Sequence, residues 1–133
     1  MGQKELRNNV ITAIYSVRMQ EESHVSFEYK DILSDIFSCP WDEIPLFARE
    51  LYVVSISHSD EAEKKFDEKL TRWKFSRLNK VLQAILIVAY SERNVISDTD
   101  RRVVINESVE YSKIYGDAKD YKLVNSVLDK VLN

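Results

Sequence analysis

The chain has 133 residues, 44% apolar and 31% charged, with a net charge of -3, which suits one domain spanning residues 1–133 better than two separate cores. Two glycines and two prolines supply neither phosphate-cradling loops nor the turns of a many-stranded sheet, so nucleotide hydrolysis and hydride transfer are excluded and an all-α fold is expected. A single cysteine and two histidines allow no internal disulfide and no zinc set, and no cofactor is expected. The longest apolar run, Ala84 to Tyr90, is too short to span a bilayer, and the N-terminus lacks a signal-peptide pattern, so a cytoplasmic protein with no membrane association is expected.

The first periodic segment, about residues 3–20, puts Leu6, Val10, Ala13, Ile14 and Val17 on one helical face, with Lys4, Arg7, Ile11, Tyr15 and Arg18 beside it. Ser26 is placed to cap a second helix whose apolar side is Phe27, Ile32, Leu33, Ile36 and Phe37. Pro45 opens a third over LFARELYVVSI. The fourth, SHSDEAEKKFDEKLTRW, is more polar, with Ala62, Phe66, Leu70 and Trp73 as its buried marks. Its alternating carboxylates and lysines read as solvated ion pairs and not as catalytic groups.

A broad apolar stripe from Ser76 to Arg93 predicts a central fifth helix. "SDTD" at 97–100 has the form of a capping box, with Ser97 as the cap of a sixth helix that Gly116 would end in left-handed conformation. On that helix Val104, Ile105, Ser108, Val109, Tyr111, Ser112 and Tyr115 share one arc. The two serines are read as small packing residues whose hydroxyls bond back to preceding carbonyls. Asn106 and Glu107 lie on the outer face, too far inside the helix for capping, and a local polar network is expected there, with a direct ligand contact as the alternative. A seventh helix covers about residues 118–132.

"LRNNVITAIYS", "RLNKVLQAILIVAYSE", "VVINESVEYSKIYG" and "KLVNSVLDKV", in this order, resemble the basic opening helix, central helix, Ile-Asn-Glu-Ala helix and terminal Phe-Val-Asn-Gly-Val-Leu-Asp segment of the NusB family. The resemblance covers most of the chain. It implies two small helical bundles packed together and a protein that works by binding. NusB-like proteins pair with NusE, a small-subunit ribosomal protein, and bind boxA RNA, acting indirectly on the RNA polymerase complex so that it reads through terminators in ribosomal RNA operons. NusB-like domains also precede RNA methyltransferase domains, but no methyl-donor-binding sequence follows here.

Carried onto this sequence, the resemblance implies RNA contacts at Lys4, Arg7 and Arg18, and at Lys122, where a family Lys-Phe pair has become Lys122-Leu123. The competing reading of the first three is a solvated helix face. Leu82 and Ile87 stand where the central helix usually carries charges, and Glu92 matches a family acid. These three are candidates for docking NusE or a second copy of the chain in a homodimer, against the alternatives of core packing for the two apolar residues and a cap or salt bridge for Glu92. The alternative function is a NusB-fold protein interaction module with little RNA affinity of its own, since arginines are few and the net charge is negative.

Overall fold

A computed structural model describes residues 1–133. The chain forms seven α-helices and no strand: α1 (Gln3–Glu22), α2 (Tyr29–Phe37), α3 (Leu46–Ser57), α4 (Ser59–Lys69), α5 (Lys80–Tyr90), α6 (Arg101–Tyr115) and α7 (Asp120–Val131). Short 3-10 turns occupy Trp41–Glu43 and Phe75–Arg77, and a π-helical turn, Ser91–Ile96, extends α5. One bundle groups α1, α2 and α3, the other α4 to α7, and α5 joins them by packing on α1 and α3 as well as on α6 and α7.

The broad apolar stripe gives α5 its central place, because every residue from Leu82 to Tyr90 is buried. Ile14, Leu33, Leu51, Phe66, Ile85, Leu86 and Leu128 belong to one continuous core that runs through both bundles. Full burial of each such side chain contributes about 1.5–3 kcal/mol. Ser108 and Ser112 are buried, and the Ser112 hydroxyl donates to the Val109 carbonyl at 2.7 Å, as a packing role predicts.

Several local expectations are corrected. Ser26 caps nothing: the chain turns at His24 (φ 56°), runs extended, and enters α2 at Tyr29 with no side-chain cap. The fifth helix starts at Lys80, because the Asn79 side chain accepts from the Leu82 amide at 2.8 Å while Phe75–Arg77 forms its own turn. Ser97 is left-handed (φ 68°) and closes the π-helical turn; the cap of α6 is Asp100, accepting from the Arg102 amide at 2.8 Å.

Gly116 is extended and not left-handed (φ -97°). Its small size answers crowding: a Cβ there would lie 2.7 Å from the Ser112 carbonyl oxygen and 3.0 Å from the Asp120 carboxylate. Trp73, expected inside, is 56% exposed, because α4 ends at Lys69 and the chain leaves the helix before reaching it.

Candidate nucleic-acid interface

The α1 arginines do not form a cationic surface. Arg7 is 2% exposed, and its Nε and Nη2 donate to Glu92 Oε1 and Oε2 at 2.6 and 2.7 Å. Glu92 is fully buried in the π-helical turn, and the Arg7 guanidinium lies 5.9 Å from the Phe47 ring centre. A guanidinium enclosed in this way cannot reach a phosphate, so the expected roles of Arg7 in RNA contact and of Glu92 in partner contact are both corrected: together they clamp α1 to the end of α5.

Arg18 is similarly engaged. It donates to Gln83 Oε1 at 2.9 Å and pairs with Glu63, with its guanidinium 5.8 Å from the Phe75 ring centre. Gln83, itself buried, passes the connection on by donating to the Leu78 carbonyl at 2.9 Å. Gln83 and Glu63 were not legible as partners, because a glutamine in an apolar stripe and a glutamate in a charged helix carry no signal of what they face.

Ile87 is fully buried and Leu82 nearly so, so the apolar residues at these positions are core. Of the three expected partner-contact residues, Leu82 lines the groove beside Trp73 and Ile87 lines a cavity bordered by α1 and α3. Of the four expected RNA contacts, Lys4 and Lys122 are exposed. Lys4 lies 3.9 Å from Glu107, which answers the question of the outer face of α6: Glu107 reaches across to α1, while Asn106 stays in solvent. Thr12 and the Tyr111 hydroxyl, 2.9 Å apart, make a second link between the same helices.

The α4–α5 connection carries a surface that the sequence pattern had placed inside. Trp73 and Leu123 together line two adjoining grooves, one edged by Lys69, Arg72 and Lys130, the other by Arg77 and Lys119. Lys122, exposed on α7, is one turn before Ser126, which lines the first of these grooves, and so lies on the same face of the helix. Asp67 builds this region by accepting from the Phe75 amide at 2.7 Å, which anchors Phe75 in the core and leaves Trp73 outside. Asp120 fixes the opposite edge, accepting from Asn79 and from the Asp117 amide at 3.3 and 2.9 Å.

Charge is divided along the chain. Residues 21–68 hold thirteen carboxylates against four lysines and arginines, a net -9, and the remaining residues hold fifteen cations against nine carboxylates, a net +6. The helices around Trp73 belong mostly to the second group. A single-stranded nucleic acid uses such a surface in two ways, its phosphates meeting the cations and a base stacking on the exposed indole.

The interior tyrosines hold their protons tightly. Burial, a hydrogen bond to Glu61 and the charge of that carboxylate push the Tyr90 hydroxyl up to about 12. Burial also raises Tyr52, whose hydroxyl donates to the Tyr29 carbonyl at 2.6 Å, and Tyr111.

The fold is an all-α arrangement of two packed bundles, with one fully buried ion pair and an aromatic-basic groove at its surface. The NusB family model matches residues 4–133. The transcription antitermination protein NusB of Agathobacter rectalis is 34% identical over 130 residues, covering 98% of both chains, and that of Listeria welshimeri is 28% identical over 131 residues, covering 98% of this chain and 96% of the other. A solved structure of T. maritima NusB superposes with a TM-score of 0.86 at 22% identity, covering 98% of this chain and 90% of that one. A chain in the crystal structure of a plectonemic RNA supercoil superposes at 0.81 with 19% identity, covering 97% and 92%. The chain belongs to the NusB family of transcription antitermination factors.

Proposed function

We propose that this antitermination factor acts in the cytoplasm by binding boxA-type single-stranded RNA of ribosomal RNA operons together with a NusE-like ribosomal protein, and through them acts on the RNA polymerase complex. The observation that carries the RNA reading is the half-exposed Trp73 in its basic surroundings. The indole offers a stacking plane beside Leu123, where the family ring is missing, and Lys122, Lys119, Arg77 and Arg72 supply charge for phosphates. Lys4 adds a further cation on α1. Arg7 and Arg18 keep the scaffold in shape instead of touching RNA.

With a net charge of -3, the chain alone gains little from counterion release. A basic ribosomal protein seated beside the groove that Leu82 lines would supply the missing field, so tight binding belongs to the pair. The test is titration of a boxA-type RNA with this chain, with the NusE-like protein and with both, at two salt concentrations. The reading expects the mixture to bind far more tightly than either protein and to weaken when Trp73 or Lys122 becomes alanine. Binding by the mixture no stronger than by the ribosomal protein alone would favour the second reading, a NusB-fold interaction module with little RNA affinity, which the enclosure of Arg7 and Arg18 supports.

A further inference from the structure

On the acidic part of the molecule, α2, the Trp41 turn and α3 form an apolar groove of about 250 Å3, lined by Tyr29, Trp41, Tyr52, Val53 and Ile56. Val53 is 50% exposed and Tyr29 39% exposed, although both are large apolar or aromatic residues. The groove continues into a more polar cavity of about 190 Å3 that shares Tyr29 and Ile56 with it. Two carboxylates, Glu21 and Asp60, line that cavity; its only cation, Arg18, is already engaged by Glu63 and Gln83. Ser55, also in the lining, is fully buried and its hydroxyl has no hydrogen-bond partner.

Charge and size indicate the occupant. The net -9 of residues 21–68 repels a nucleic acid and attracts a cation. Glu50, one turn before Val53 on the exposed side of α3, and Glu28 beside Tyr29 extend the acidic rim. A groove of this volume has room for one or two side chains, which suits an extended segment with a single apolar anchor. The Tyr52 hydroxyl is taken by the Tyr29 carbonyl, so the rings offer apolar contact, and the polar contribution comes from the adjoining cavity.

We propose that this groove docks a positively charged segment of a partner protein, with an apolar side chain on Trp41, Tyr52 and Val53 and a neighbouring lysine or arginine entering the cavity toward Glu21 and Asp60. Lys30, whose ammonium lies 5.3 Å from the Trp41 ring centre, covers part of the groove in the free chain and competes there with the partner's apolar side chain. This interface is separate from the Trp73 surface and does not depend on the RNA reading.

The chain has two tryptophans, one in each region, and each can serve as a local reporter. In a Trp73→Phe protein, Trp41 emission is followed during titration with a short lysine-leucine peptide and with a lysine-glycine peptide of equal charge. The lysine-leucine peptide is expected to shift Trp41 emission saturably and to bind at least about tenfold more tightly than its glycine counterpart. Binding should weaken by a similar factor in Val53→Lys and in Glu21→Gln/Asp60→Asn, and strengthen in Lys30→Gln. Glu21, Val53 and Asp60 are exposed, so these changes leave the core intact and RNA binding unaltered. Equal binding of the two peptides, insensitive to the substitutions, would overturn the proposal. So would a dimer in light scattering that Val53→Lys dissolves, since a second copy would then own the groove.

Discussion

The seam between α1 and α5 and the connection between α4 and α5 both combine arginines with an aromatic ring, and they use them in opposite ways. In the seam, Arg7 is closed in beside Phe47 and joined to Glu92 by two hydrogen bonds. At the connection, Trp73 stands in solvent with Arg72 and Arg77 in the grooves it lines. The difference lies in whether a buried carboxylate is present: Glu92 gives Arg7 a reason to be inside, whereas the connection has no such acid and its cations stay available.

The strongest way to break this contrast is to remove the acid. Glu92→Ala leaves the Arg7 guanidinium buried and unpaired, and denaturant unfolding should show a loss of about 3–5 kcal/mol. The double change Arg7→Met/Glu92→Leu should recover most of it, because the uncompensated charge is gone. Gly116→Ala comes next: its Cβ would meet the Ser112 carbonyl at 2.7 Å, and the same measurement should show a loss of about 1–3 kcal/mol.

On the exposed side the effects move from stability to binding. Trp73→Ala should leave unfolding within about 0.5 kcal/mol of the parent while weakening RNA binding by about 1–3 kcal/mol, the worth of one stacked base. Lys122→Ala should lower the slope of log affinity against log salt by about one, without a change in fold.

The interior tyrosines extend the comparison to alkaline pH. Their hydroxyls titrate higher in the folded state than the ordinary 10.0, so the stability they add is complete below pH 10 and is lost as pH rises through the folded-state values, about 12 for Tyr90. Absorbance at alkaline pH should show their ionisation coinciding with unfolding, and Tyr90→Phe should reduce the pH dependence of stability in that range.

The helices were legible because their apolar spacing is long and regular, most clearly along α5. The family motifs, read as such, pointed to the two-bundle fold and its role. Caps and the site were harder to read. Asn79 and Asp100 displaced the expected helix starts, since a cap depends on which backbone amide a side chain can reach after the preceding turn is set. Arg7, Leu82, Ile87 and Glu92 lie where the fold, not the local pattern, decides what is enclosed. Trp73 falls on the apolar spacing of α4, which predicts a core position, but the helix ends four residues before it.

The most direct measurement of the central claim is RNA affinity, in the presence of the NusE-like protein, for Trp73→Ala and Arg18→Gln, with circular dichroism confirming that both fold. The account predicts that Trp73→Ala weakens binding about tenfold, the equivalent of one stacked base, and that Arg18→Gln leaves it unchanged. Loss of binding in Arg18→Gln with full binding by Trp73→Ala would contradict it and return the RNA site to α1.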